Sequence, residues 1–454
     1  MLQRHSLLII SLVMGLSLPV FAESPTSSLP VWQSTPLSLA KAMDVALQQN
    51  GNIQRAKNDL EAQYGVVVQT RAVAIPKLQA NGNYQYTEQT EKTSFPNFPI
   101  LKQTWSGSIT LSQNIYQGGN IQASLKTAKL TREQAVLNYQ TTIADSLLQV
   151  RTAYYDVQLA DEQVVVEEAS VKLLTQQLED QQRRFNAGTV PRFNVLQAEV
   201  ALSNEKPKLI KARNTLRVSK NNLVNLLGYH LSIDVLENVP MELTDKLDDI
   251  YYQVELPVAL SRAFENRSEL ASLRKSIDLG QQSVVSARSG YKPTISIFGE
   301  YGDRNSQFVD DPAYDIHGVT TGVQATWSIF DGFLTKGKVQ TAKARLAGSR
   351  VDVDNEMRSI ELEVRTDYSN LIEAWETLQS QKKVQEEAEE ALRLARVRND
   401  AGTGTQLDVL SAETSLTQAR STQVQALHDY DVARARMDRA MGLNLMQSNP
   451  APSK

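Results

Sequence analysis

Two periods of hydrophobicity alternate along this chain. From Lys77 to Tyr86 the polar residues Lys77, Gln79, Asn81, Asn83 and Gln85 are interleaved with Leu78, Ala80, Gly82, Tyr84 and Tyr86. Trp105, Gly107, Ile109 and Leu111 are interleaved in the same way with Ser106, Ser108, Thr110 and Ser112. Period two marks a strand with one apolar face. It returns in Ile295, Ile297 and Tyr301, and again in Val323, Ala325, Trp327 and Ile329. The pattern predicts four strands, at about 77–87, 105–116, 293–303 and 319–330. Lengths near ten residues are what a tilted strand needs to cross a bilayer. Tyr84, Tyr86, Trp105, Tyr301 and Trp327 suit an interfacial aromatic girdle on the lipid face. Two half-buried hairpins in a soluble sandwich satisfy the same alternation. Four strands cannot close a barrel, which takes about eight, and lipid does not tolerate an open edge. Strands that span a membrane must therefore be pooled between chains, and three chains supply twelve.

The second period is seven. Val136, Ile143, Val150, Val157, Val164, Val171, Leu178 and Phe185 recur every seven residues, which predicts a left-handed superhelical packing seam. Met357, Val364, Leu371, Leu378, Gln385 and Leu392 keep the same seam less strictly. No proline lies between Gly119 and Pro191, or between Gly332 and Pro450, so each interval opens with a very long helix. About 68 residues at about 1.5 Å each make it about 100 Å long. Ala187-Gly188-Thr189 and Ala401-Gly402-Thr403 break these helices as glycine-centred turns. The chain then returns to Gly228 or Gly442 in a shorter helix, with Pro191 suited to its first turn and Pro207 expected to kink it. Helices at about 52–73 and 268–289, set end to end with the returning ones, supply the missing length. Four helical columns per chain follow.

The pattern is also doubled. AGTVPRFNVLQAEVAL (187–202) reappears as AGTGTQLDVLSAETSL (401–416), with eight identities in sixteen. The offset of 214 also aligns Gly118 with Gly332, Tyr154 with Tyr368 and Gly228 with Gly442. Upstream the offset is 217, matching Arg71 with Arg288, Pro76 with Pro293 and Tyr84 with Tyr301. A period of this size is a half-protein rather than a solenoid unit. The expected organisation is a signal peptide (1–22), a first repeat (23–240), a linker (241–255) and a second repeat (256–454).

Composition narrows the class. Arg4, the apolar run from Leu7 to Val20 and the small residues near Ala22 read as a cleaved secretory signal. Its removal takes the formal net charge from −4 to −5, and no basic stretch suits nucleic acid. Without cysteine the exported chain has neither disulfides nor a lipid anchor. The acidic loop Asp310-Asp311-Pro312-Ala313-Tyr314-Asp315 lacks the ligand spacing of a calcium loop and reads as solvated. His230, His317 and His428 form no metal-ligand spacing, and Glu199 and Glu413, on separate helices, form no catalytic pair. No enzyme and no cofactor are expected.

A signal peptide, two copies of helix–strand–strand–long helix–tip–helix and the doubled AGT-x4-(N/D)-VL-x-AE element together resemble the TolC-type outer-membrane efflux duct family. The resemblance covers nearly the whole chain after the signal. It implies a mainly α fold with a small transmembrane β part, assembled as a homotrimer. A twelve-stranded β-barrel in the outer membrane would continue into a twelve-column α-helical barrel across the periplasm. It implies an exit duct of a tripartite efflux or type I secretion system, passively conducting cargo from an inner-membrane transporter. The tips Ala187, Gly188, Thr189, Ala401, Gly402 and Thr403 would meet a periplasmic adaptor. A secreted or surface coiled-coil filament is the alternative for the heptads alone.

The resemblance also implies a constriction near the tips, at Asp408, Asn194 and Ser411. Asp408 has two readings: a carboxylate ring about the threefold axis, or a cap on the returning helix. Family members close the tip through an Asp after the first turn and an Arg after the second. Here Asn194 and Gly404 stand at those positions, so that link is absent. Arg192 with Asp400 or Asp408, and next Arg398, are the candidate gate links.

Overall fold

The computed structural model describes residues 36–88, 102–229, 239–305 and 312–443. The signal segment, most of the first hairpin loop, Asp310-Asp311, His230 and the C-terminal tail lie outside the described residues. Helices α1 (Leu39–Gln49) and α2 (Gly51–Arg71) lead to strands β1 (Lys77–Tyr86) and β2 (Gln103–Gln117). Helices α3 (Asn120–Asn186) and α4 (Arg192–Leu226) complete the first repeat. The second repeat runs α5 (Leu256–Asn266), α6 (Ser268–Arg288), β3 (Thr294–Arg304), β4 (Ile316–Thr326), α7 (Leu334–Asp400) and α8 (Gln406–Ala440).

The four strands form one antiparallel sheet in the order β1-β2-β3-β4, with a bulge in β2 between Asn114 and Tyr116. Register puts Leu78 opposite Leu111, Tyr84 opposite Trp105, and Ile109 between Ala80 and Tyr301, so apolar residues of all four strands share a face. That face is open: Leu78, Ile109 and Val323 are more than half exposed. Ten residues at about 3.3 Å, tilted by about 40°, span about 25 Å, the height of an outer-membrane apolar band. The fourth strand departs from the expected 319–330. Its Thr326 pairs with Thr294, the first residue of β3, so among the described residues 327–330 have no partner strand and Trp327 lies just past the sheet. Among the described residues no helix is long and apolar enough to cross a membrane.

The helices reach the expected length, 67 residues in both α3 and α7. The seam of α3 is buried at Val150, Val157 and Val164 and fades toward the tip, where Phe185 is exposed. In α7 it is buried at Val364, Leu371, Leu378 and Leu392, with Gln385 half-buried. Helix α4 continues through Pro207, which is exposed, so the carbonyl four residues back can turn to water. Below mid-height α4, α3, α8 and α7 pack side by side in that order; above it α2, α3, α6 and α7 do the same. Thus α2 stacks on α4 and α6 on α8, and there are four columns. Two short helices went unforeseen, although their apolar spacing was legible: Leu39, Ala42, Met43, Ala46 and Leu47 in α1, repeated as Leu256, Ala259, Leu260, Ala263 and Phe264 in α5. They begin at Leu39 and Leu256, 217 residues apart.

Segment 239–255 is a belt at mid-height. Leu37 and Leu243 form a parallel bridge, with Leu37 N donating to Glu242 O (2.8 Å) and Thr244 N to Leu37 O (3.1 Å). Tyr154 of α3 reaches Leu37 O at 2.9 Å, and Tyr430 of α8 donates to Ile250 O at 2.8 Å. Tyr251 packs at a tilt against Trp375 of α7 with ring centroids 5.0 Å apart.

Candidate functional site: the tips and the constriction

Both tips end their helix in the same way. Gly188 and Gly402 have φ of 73° and 72°, the left-handed geometry that favours glycine. Gly188 N donates to Phe185 O (2.9 Å) and Thr189 N to Arg184 O (2.9 Å); Gly402 N donates to Asn399 O (3.0 Å) and Thr403 N to Arg398 O (2.9 Å). These paired bonds satisfy the last carbonyls of α3 and α7. Nothing lies within 4 Å of a Cβ built on either glycine, so φ alone requires them. Ala187, Gly188, Thr189, Ala401, Gly402 and Thr403 are all exposed.

The two returns differ. Thr405 is the N-cap of α8, and its hydroxyl accepts from Asp408 N (3.2 Å) while Asp408 Oδ2 accepts from Thr405 N (2.9 Å). Asp408 is thus the third residue of the helix in a capping box, not its N-cap. The Thr405 backbone and hydroxyl, aided by Arg398, hold its carboxyl below the ordinary carboxylate range. In α4 the N-cap is Pro191, no side chain caps the helix, and Asn194 is half-buried. Ser411 is exposed one turn after Asp408. Gly404 also has a backbone reason: a Cβ there would meet Arg398 Cβ and Asn399 N at 3.1 Å.

Of the candidate gate residues, the fold brings Asp400 to Arg184, at 3.3 Å, rather than to Arg192. Arg184 also holds Asp180 at 2.8 Å. Arg192 and Arg398 are exposed and take part in no ion pair among the described residues. Just behind the tips, Gln181 Nε2 and Asn399 Nδ2 both donate to Gln406 Oε1 (3.0 and 3.3 Å), and Arg396 reaches buried Glu413 at 3.2 Å. Burial pushes the Glu413 carboxyl up, against the pull of Arg396. These groups line a polar cleft of about 340 Å³ between the two hairpins. Sequence reading missed Arg184, Gln181 and Gln406; their only signal was polar residues inside a helix otherwise reserved for packing.

Higher up, charged pairs tie α8 to α3 and to the belt. Arg151 and Asp438 are both buried and 2.9 Å apart. Arg434 bridges Asp431 (3.0 Å) and Asp248. His428, dismissed above as a metal ligand, links Asp156 of α3 (2.8 Å) to Asp429 (3.0 Å). Burial alone would lower its pKa, but the two carboxylates outweigh it and raise it to about 9. No group of side chains suited to a metal ion occurs among the described residues.

An open four-strand sheet with a lipid-type face, continuous with helices about 100 Å long that end in exposed turns, is the architecture of a channel-tunnel. The chain matches the outer membrane efflux protein family over residues 42–229 and 259–443, one match per repeat, and it belongs to that family. It is 23% identical over 463 residues to outer membrane protein TolC of Escherichia coli K12, covering 98% of this chain and 89% of that protein. It is 23% identical over 414 residues to alkaline protease secretion protein AprF of Pseudomonas aeruginosa, covering 88% and 83%. The fold superposes on the outer membrane protein VceC of Vibrio cholerae with a TM-score of 0.75 at 17% identity, covering 89% of this chain and 96% of that one. The protein is an outer-membrane exit duct that extends into the periplasm, and members of this family conduct rather than catalyse. The filament alternative falls, since it accounts for neither the family match nor the sheet.

Proposed function

We propose that three copies close one duct, that an adaptor meets its tips, and that an inner-membrane transporter energises passage. The observation that carries this reading is that β1 and β4 are both open edges of the sheet, while α7 and the α2/α4 column end the helical order on the same two sides. In lipid each unpaired backbone group costs several kcal/mol, so β4 of one copy must pair with β1 of the next. Twelve strands and twelve columns result. The walls carry no chemistry, so conduction is passive and cargo is chosen by the pump.

At the tips, three Asp408 carboxylates narrow the axis and favour cations, with Asn194 and Ser411 lining the same level. The capping bond uses one Asp408 oxygen and leaves the other for this role. Arg192 reaches an acidic residue, Asp400 or Asp408, of an adjoining hairpin and holds the resting tip; Arg398 is the second candidate. Arg192→Ala should raise single-channel conductance or antibiotic leakage, and an unchanged channel sinks the link. Crosslinking in living cells, followed by purification of the tagged protein, should recover an adaptor with one class of transporter. Recovery of the duct alone, with efficient crosslinkers placed at positions 188 and 402, would count against tip docking.

A further inference from the structure

The junctions between sheet and long helix are duplicated in sequence but not in surroundings. At the first, Gly118 and Gly119 have φ of 59° and 99° and lead from β2 into α3. They are tightly covered: a Cβ on Gly118 would meet Ser289 O at 2.6 Å and Lys292 Cβ at 2.9 Å, and one on Gly119 would sit 3.9 Å from Val285 Cγ1. At the second junction, 214 residues on, nothing lies within 4 Å of a Cβ on Gly332. Its neighbour Phe333 has φ of 68° and is the one described non-glycine residue with positive φ. A bulky side chain in that conformation is strained, and the matching position shows that glycine removes the strain. The ring is nevertheless 67% exposed, meeting Phe330 edge to face at 5.5 Å and the Lys336 ammonium 5.6 Å from its centroid.

The repeat says what should cover it. Ser289, Lys292 and Val285 lie at the end of α6, and the 217 offset matches them to Ala72, Ile75 and Val68 at the end of α2. Val68 and Ile75 are exposed, at 68% and 58%. Within one chain α6 packs against α7 as α2 packs against α3, so the missing pairing is that of α7 with α2 of another copy. It continues directly from the open edge of β4. We infer that Phe333 is an anchor between subunits, seated at the membrane–periplasm boundary against Val68 of the partner subunit, with Ile75 of the partner subunit closing over Gly332. The inference rests on the trimeric reading above.

Because the chain has no cysteine, a double variant gives a clean test. Phe333→Cys combined with Val68→Cys should give disulfide-linked dimers and trimers on a non-reducing denaturing gel, collapsing to monomer with reductant. The native mass of the detergent-solubilised protein is read alongside. Trimeric mass without disulfides overturns the anchor and leaves the trimer standing; monomeric mass overturns both. A fluorophore on Phe333→Cys that is strongly quenched by brominated phospholipid also overturns it, by showing a lipid-facing ring. Phe333→Gly relieves the backbone, so a local role predicts an equal or more heat-resistant assembly. The anchor predicts a trimer that dissociates at lower temperature.

Discussion

Each repeat splices two helices end to end, and the two splices use different chemistry at matching positions. Asn50 and Arg267, 217 residues apart, each end one helix and begin the next. Asn50 is nearly buried. Its Oδ1 accepts from Asn52 N (2.9 Å) and Ile53 N (3.2 Å), while Nδ2 donates to Leu226 O (2.6 Å) at the end of α4. A single amide thus satisfies the start of one helix and the end of another. Arginine has no acceptor, and Arg267 leaves α6 without a side-chain cap. It reaches Glu363 of α7 (2.6 Å) and Glu269 (3.3 Å) instead, and Arg439 of α8 joins Glu269 to Asp145 of α3. The neutral splice fastens two helices; the ionic one fastens four. Geometry was kept after duplication while the means of holding it diverged.

The glycines opposite the splices break the comparison most sharply. Gly228 has φ of 83°, and a Cβ there would sit 2.1 Å from Gln49 O; the closest atom at Gly442 is 3.0 Å away. Gly228→Ala should cost more than about 3 kcal/mol, by backbone strain plus a clash with main chain, and Gly442→Ala less. Gly188→Ala and Gly402→Ala should cost only about 1 kcal/mol, because the space around them is open. Denaturant unfolding followed by helical circular dichroism ranks all four. Asn50→Ala should lose about 2 kcal/mol through the cap and the orphaned Leu226 carbonyl, independently of salt. Arg267→Met should show a penalty that shrinks as salt rises, since partly exposed Glu363 is screened.

A pH scan sharpens the contrast further, because the charged side of the molecule continues down α8. The His428 pKa is raised from about 6.5 in the unfolded chain to about 9 when folded. Its contribution, up to about 2 kcal/mol, is therefore complete below about pH 6.5 and is lost as pH rises through about 9. His428→Gln should flatten that part of the stability profile; a wild-type profile already flat from pH 6.5 to 9 would refute the pairing.

Much of this fold was legible because its signals are local. The seven-residue seam set the length and packing edge of α3, and the alternation at Leu78–Tyr86 set β1 to within a residue. The glycines at 188 and 402 marked turns that depend on φ alone. The end of β4 was not legible: Trp327 and Ile329 continue the alternation, but β3 begins at Thr294 and does not extend beside them. Neither was the N-cap of α8, because Thr405 and Asp408 both suit that end and only the bonds they exchange separate their roles.

By itself the sequence determined the kind of the strands and long helices, the doubling and the family, since periodicity, chain breakers and repeats act over a few residues or repeat at fixed offset. Tertiary structure alone decided which columns are neighbours, that Asp400 answers Arg184, and that one splice is an amide and the other an ion cluster. Those outcomes depend on partners that lie up to hundreds of residues away in the chain. Burial makes such partners obligatory, and only the packed helices bring them together.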